Sequence, residues 1–213
     1  MATQGALYDI LEQETPAIEE VAYLCALGIK KSCIRSTLQV RHRTAEGFEQ
    51  FEDALLEATG CDAINWEHGS ARLVTPENES QSIRSFEVEG IDQTLDEVLL
   101  TAYDDLYKKQ KSEELADALS PGAVSRPARI IATLARRRYH NTRTSSLDKS
   151  FLWDSFGLVE NETFERDARL DILNELVRVG CIVKDGADIY VRPALAALPQ
   201  PDEYLPVVGV LEE

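Results

Sequence analysis

The chain has 213 residues and carries 22 lysines and arginines against 38 aspartates and glutamates, a formal net charge of −16. Apolar residues make up 44% of it and charged residues 28%, which is typical of one large or two small globular domains. No run of about 18 uncharged apolar residues occurs, so a membrane-spanning helix is excluded.

The N-terminus and the cysteines indicate a cytoplasmic protein. The first residues include acids and no basic cluster, which excludes a signal or transit peptide. The four cysteines lie far apart in a chain long enough to bury a core, so we expect reduced thiols rather than a disulfide framework. They are Cys25, Cys33, Cys61 and Cys181.

Residues 1–80 predict a first lobe of three helices followed by a β-hairpin. Thr15 and Pro16 are a helix start, because a hydroxyl cap precedes a ring whose missing N–H costs nothing in the first turn. Apolar residues at helical spacing predict a second helix around Ile34 and a third from about residue 44 to Gly60. Short strand-like runs follow at 61–66 and 71–75, and the polar stretch after them reads as a loop. This order is that of a winged-helix domain.

Residues 81–120 predict a helical connector. Thr94 and Glu97 have the spacing of a capping box in front of an apolar run. The run forms one helical face, which must pack either on the protein's own lobes or on another subunit. Its leading members are Leu95, Val98, Leu99 and Tyr103.

Residues 121–193 repeat the order of the first lobe. A helix begins at Ser125, a second begins at Ser145 or Ser146 and includes Phe151, Leu152 and Phe156, and a third runs from about Asn161 to Gly180. Asp185 and Gly186 form a turn pair between two apolar strands, a strong hairpin signal.

The junction between the third helix and the hairpin is similar in the two lobes. Residues 56–61 and 176–181 both read Leu-x-x-x-Gly-Cys, and each hairpin has a proline seven residues after its turn glycine. We therefore treat the chain as a structural repeat of one module.

The tail, 194–213, contains three prolines, which argue against a helix. Its apolar part can add a strand to a partner's sheet or fold back over its own domain, and both alternatives stand. The tail residues predicted to contact a partner are Tyr204, Leu205, Val207, Val208 and Leu211.

The sequence provides no positive signal for catalysis. It contains no glycine-rich phosphate loop, no CxxC pair and no HxxxH pair. His42, His68 and His140 read as polar surface residues rather than as members of a catalytic triad. We therefore predict no catalytic residue, no metal site and no cofactor, with a hydrolase or nuclease of dispersed site as a third and weaker alternative.

One basic patch stands out on the helix that begins near Ser125. Its members recur at offsets of 0, 3, 10, 11 and 14, which places them on one side of the helix at 100° per residue. They are Arg126, Arg129, Arg136, Arg137 and His140, extended by Arg143 in the following loop. Guanidinium groups suit phosphates and carboxylates equally. In so acidic a chain an acidic protein surface, on a partner, on a sister subunit or on this chain's own first lobe, is favoured over DNA.

The predicted third helices argue against reading of a DNA groove, the task of that helix in DNA-binding winged helices. In the first lobe this helix has five acids and no base, and in the second lobe its charges are mixed. The acids of the first are Glu46, Glu49, Glu52, Asp53 and Glu57.

Two acidic winged-helix units around a helical connector resemble the tandem winged-helix adaptors. These include the kleisin-interacting "kite" subunits of bacterial chromosome-organising (SMC-type) ATPase complexes and subunits of sorting and transcription assemblies. The resemblance covers residues 15–193 at the level of element order, and it implies non-catalytic work: gripping a flexible partner segment, dimerising and touching DNA through one basic patch.

We therefore predict a mainly α-helical (α+β) protein that acts as a non-enzymatic adaptor or scaffold subunit of a larger complex. The predicted partner contacts are the apolar face at 95–103 and the tail residues named above, with a homodimer and a weak DNA contact left open. The alternative is a winged-helix transcriptional regulator that binds DNA through the arginine patch.

Overall fold

The computed structural model describes residues 3–12, 15–44, 46–66, 70–142, 146–147 and 166–206. The chain divides into a first unit, Met1–Leu106, and a second unit, Tyr107–Glu213. Both are mainly helical with a small antiparallel sheet, so the α+β class is confirmed.

The described elements follow one another in two series. The helices are α1 (Gln4–Leu11), α2 (Pro16–Ala26), α3 (Lys31–Arg41), α4 (Glu46–Thr59), α5 (Leu95–Ala118), α6 (Arg126–Thr142), α7 (Arg166–Val179), α8 (Pro193–Ala196) and α9 (Pro201–Tyr204). The strands are β1 (Ala63–Asn65), β2 (Arg72–Val74), β3 (Ser80–Ser82), β4 (Ser146–Leu147), β5 (Ile182–Asp185) and β6 (Asp188–Val191).

The core of the first unit is built mainly from the helices that the apolar spacing predicts. Ile18 on α2, Ile34 on α3 and Phe48 on α4 are all buried. Helices α2 and α4 approach so closely at Gly47 that a Cβ atom there would lie 2.4 Å from the Cβ of Ala17. A glycine therefore sets the distance between these two helices.

Helix α1 was not predicted. The Ala6 N–H donates to Oγ1 of Thr3, which caps the helix, at 3.4 Å. Leu7, Ile10 and Leu11 are buried, and their i, i+3, i+4 spacing is that of an amphipathic helix.

The first sheet has the order β1-β2-β3, and both pairings are antiparallel. The β1–β2 hairpin was predicted, and so was a loop over residues 76–81; the loop prediction holds for 76–79 but is wrong at Ser80 and Gln81, which belong to β3. Ser80 and its neighbours form an edge strand held by backbone pairing and by the Arg72 guanidinium, which donates to the Ser80 carbonyl at 2.6 Å. Such a strand lacks the alternation of apolar and polar residues from which a strand is predicted.

Of the two hydrogen bonds of the capping box predicted at the start of α5, the structure shows one, while the Thr94 hydroxyl donates to Oδ1 of Asp96 at 2.6 Å. The Thr94 N–H donates to Oε2 of Glu97 at 2.9 Å, and this hydrogen bond lowers the pKa of the Glu97 carboxyl. The division between the units falls within α5, after Leu106, and Leu115 and Leu119 belong to the core of the second unit. Residues 81–120 are therefore divided between the two units.

The second sheet has the order β4-β6-β5. Its hairpin was predicted, but the turn is displaced by one residue. Asp185 pairs with Asp188, so the two turn residues are Gly186 and Ala187. Gly186 has a φ of +62°, which is favourable for glycine at the first position of such a turn.

Strand β4 corrects the prediction of a helix that begins at Ser145 or Ser146. Ser146 and Leu147 pair with Tyr190 and Ile189 of β6, and the Leu147 side chain is buried. The rest of that predicted helix, with Phe151, Leu152 and Phe156, lies outside the described residues.

The repeated Gly-Cys junction adopts the same conformation in both units. Gly60 and Gly180 follow α4 and α7 with φ values of +66° and +86°, which are left-handed helix ends. Cys61 and Cys181 are buried directly after them, before each hairpin.

The tail corrects the prediction that its prolines exclude helix. Pro193 and Pro201 each occupy the first turn of a short helix, where the missing N–H has no intrahelical partner to lose. Leu198 and Leu205 are buried in the core of the second unit. Up to residue 206, the tail therefore folds back over its own unit.

Candidate interaction surface on helix α6

The structure brings most of the predicted basic patch together on α6. Arg126 is exposed, whereas the side chains of Arg129, Arg136, Arg137 and His140 are half-buried. Arg143 lies outside the described residues. We call the four half-buried residues the arginine stripe.

The opposite side of α6 fixes the helix in the second unit. Ile131, Ala132 and Ala135 are buried in the core. At the N-terminus, the Ala128 N–H donates to Oγ of Ser125 at 3.4 Å. The Ser125 N–H and hydroxyl both donate to the carboxylate of Glu175 on α7, which satisfies the helix start.

The tail lies against part of the arginine stripe. Nε of Arg129 donates to the carbonyl of Tyr204 at 2.8 Å. One turn further along α6, Oγ1 of Thr133 donates to the carbonyl of Pro206 at 3.3 Å. We call residues 199–206 the strap.

Beyond the strap, the arginine stripe contains two buried polar atoms whose partners are not among the residues that the structure describes. They are Nε of Arg136 and Nε2 of His140, one helical turn apart. The Nε–H of Arg136 is a donor, and a buried donor without an acceptor costs free energy, so this part of α6 is suited to an acceptor from outside the described residues.

The other predicted partner surfaces are placed differently. Leu95, Val98, Leu99 and Tyr103 are at most 4% exposed and form the core of the first unit, where the Tyr103 ring stacks on Tyr23 with centroids 4.3 Å apart. This corrects their assignment to a partner contact. In the second unit, Leu205 is buried in the core and Tyr204 packs against that core, while Val207, Val208 and Leu211 lie outside the described residues.

The acids of α4 divide into two groups. Glu46, Glu49, Asp53 and Glu57 are exposed along one stripe. Glu52 faces the other way and accepts hydrogen bonds from Nζ of Lys31 at 3.0 Å and from Nε1 of Trp66 at 2.7 Å. The exposed side of α4 is thus acidic, as the sequence predicts.

A second basic surface, on α3, was missed. Residues 21–45 contain five lysines and arginines and no acid, in a chain with 38 acids. Two of the cations are paired within the unit, Lys31 with Glu52 and Arg41 with Glu20. Arg35 is exposed, with its guanidinium 5.2 Å from the centre of the Phe48 ring. A sliding count of charge could have found this stretch.

The buried ionisable groups of the first unit serve packing. Burial raises the pKa of the Cys25 thiol and of the Tyr103 hydroxyl, so both stay protonated into alkaline solution. Among the described residues, no group of three or more His, Cys, Asp or Glu side chains is placed to hold a metal ion.

Comparisons with known proteins found no match to any family model, curated protein or solved structure. Within the described part of the chain, every helix is too short or too polar to cross a membrane.

Proposed function

We propose that the protein is a non-enzymatic adaptor subunit of a larger complex, which holds an acidic segment of another protein against the arginine stripe of α6. In this proposal the two units are tandem winged-helix lobes, similar in organisation to the kite subunits of SMC-type complexes.

The order of elements in the second unit supports the winged-helix proposal. In a winged helix, a strand that follows the first helix pairs with the returning strand of the hairpin. Strand β4 follows α6 and pairs with β6 in this way. In the first unit the equivalent edge is taken by β3, which pairs with β2 but follows the hairpin.

The observation that carries the proposed partner is the arginine stripe itself. Its cations, and two buried atoms without a partner among the described residues, Nε of Arg136 and Nε2 of His140, lie in a chain of net charge −16. Guanidinium groups form short, charge-assisted hydrogen bonds with carboxylates. A carboxylate-bearing segment is therefore the complementary ligand.

A protein partner is favoured over DNA by the charges of the surfaces that winged helices use for DNA. The exposed stripe of α4 has four acids, and the second hairpin has Asp188 exposed beside its turn. Phosphates would be repelled by both, since DNA affinity depends on neutralising them. DNA binding through the arginine stripe is the second candidate, supported by the same winged-helix order.

The test begins with purification of the tagged full-length chain and identification of the protein that co-purifies with it. The complex is then reconstituted from the purified components. We expect Arg136→Glu with Arg137→Glu to abolish the complex and Lys108→Glu with Lys109→Glu, an equal charge change at exposed positions of α5, to leave it intact. If both double variants bind the partner equally, or if the protein alone binds duplex DNA with a steep salt dependence that the first variant abolishes, the adaptor proposal is wrong.

A further inference from the structure

The strap follows α6 in a regular register. Leu205 has an extended backbone, with φ −105° and ψ +134°, and the carbonyls on either side of it accept hydrogen bonds from Arg129 and Thr133. Two residues of extended chain span about 6.6 Å, and four residues of helix rise about 6 Å. Alternate carbonyls of an extended segment therefore match successive turns of α6.

The same register continues along the helix. Arg129, Thr133, Arg136 or Arg137, and His140 follow one another at intervals of three or four residues, so they share one face. The strap uses only the first two positions. The positions ahead, in the direction in which the strap runs, include two buried nitrogen atoms without a partner among the described residues, Nε of Arg136 and Nε2 of His140.

One apolar side chain anchors the strap. Leu205 is 4% exposed and belongs to the core of the second unit. The ligand that this surface fits therefore has three properties: an extended backbone, one leucine-sized side chain, and acceptors that continue past it toward Arg136 and His140.

Two features weaken the strap in its present place. Gln200 has a φ of +43°, in the left-handed region that non-glycine residues rarely occupy, and it lies between Pro199 and Pro201, whose own φ angles are fixed. The Thr133 hydroxyl has one proton and two acceptors, the Pro206 carbonyl at 3.3 Å and the Arg129 carbonyl at 2.9 Å.

From these observations we infer that the strap is a built-in competitor for the surface along α6, and that the partner's segment replaces it. The inference rests on the proposed function and adds to it the chemistry of the ligand. The incoming segment takes the strap's two hydrogen bonds and its leucine position, and its acids reach Arg136 and Arg137. Arg129 is thus withheld from a partner until the strap leaves.

The test uses a fluorescently labelled peptide with the sequence of residues 199–213 as the probe, and full-length protein. Gln200→Pro forbids the left-handed turn, because proline fixes φ near −65°, whereas Gln200→Gly permits it. Both changes are at an exposed position, so neither replaces a side chain of the core. We expect Gln200→Pro to bind the peptide about tenfold more tightly than Gln200→Gly and the unmodified protein, because the competitor is removed.

Three further measurements test the inference. Hydrogen exchange at 201–206 should rise in Gln200→Pro, and adding Arg129→Ala to this variant should weaken peptide binding. Leu205→Asp, which expels the strap directly, should reproduce the gain. Equal peptide binding by Gln200→Pro, Leu205→Asp and the unmodified protein overturns the inference. Because the reconstituted complex and its Arg136 and Arg137 variants are measured separately, that result leaves the proposed function standing.

Discussion

The Glu20 carboxylate lies 2.9 Å from Nη1 of Arg41, and its side chain is only 3% exposed. The pair joins the middle of α2 to the last residue of α3, and Nε2 of His42 lies 3.8 Å from the same carboxylate oxygen. Breaking a buried pair leaves one charge in a medium that solvates it poorly.

Replacing Glu20 should therefore be costly. We expect Glu20→Ala to lower the free energy of unfolding by about 3–5 kcal/mol, measured by urea denaturation. Glu49→Ala, at an exposed position of α4, is the matched control and should change it by less than about 0.5 kcal/mol. Similar losses in the two variants would show that the Glu20–Arg41 pair contributes little.

Gly47 offers a test of helix packing. A methyl group there would lie 2.4 Å from the Cβ and 2.9 Å from the carbonyl carbon of Ala17, so the backbone of α2 would have to move. We expect Gly47→Ala to destabilise the protein by about 1–3 kcal/mol despite the higher helix propensity of alanine. Gly5→Ala in α1 is the control.

At Gly5 nothing lies within 4 Å of the added methyl group, so that variant should be neutral or more stable by up to about 1 kcal/mol. Urea denaturation measures both variants. A change of the same sign and size at both glycines would contradict the close approach of α2 and α4.

Cys25 should make the stability fall in alkaline solution. Burial, and to a lesser extent the charge of Glu52, raises the pKa of its thiol far above the ordinary value of 9.0. The unfolded chain loses this proton near pH 9 while the folded protein retains it, so this contribution is complete below pH 9 and declines as the pH rises further. We expect urea denaturation at a series of alkaline pH values to show the decline and Cys25→Ala to reduce its slope. An unchanged slope in Cys25→Ala would assign the decline to other groups.

The hydrogen bonds between Ser125 and Glu175 should stabilise the start of α6. It accepts two hydrogen bonds from Ser125 at the start of α6. We expect Ser125→Ala to cost about 1 kcal/mol, the usual value for loss of a helix cap. Asp171→Ala, at an exposed position of the same helix as Glu175, is expected to have no measurable effect on thermal unfolding. If Ser125→Ala also leaves thermal unfolding unchanged, the cap does not stabilise the start of α6.

The sequence predicts those parts of the fold whose cause is local. The hydrogen bond from the Thr94 N–H to Glu97 joins residues within one helical turn, and the Gly-Cys junctions follow from glycines that take positive φ. Helix α1 also has local signals, in Thr3 and the buried Leu7, and was overlooked. Strands β3 and β4 have none, because two or three residues become strand only through pairing with a distant segment.

The candidate surface follows the same rule. Helical periodicity was sufficient to place Arg129, Arg136 and Arg137 on one side of α6. It could not reveal that the Tyr204 carbonyl already occupies Arg129, since that contact joins residues 75 positions apart. Nor could the apolar face of α5 be assigned, because Leu99 would look the same in a core and in an interface.

The position of the third strand in the sequence determines when each sheet can fold during synthesis. In the first unit all three strands lie within residues 63–82, so the sheet can close soon after that stretch leaves the ribosome. In the second unit β4 must wait for β6, whose last residue is Val191. Contacts between distant residues form more slowly than local ones. The sheet of the first unit should therefore close during translation, before the sheet of the second unit.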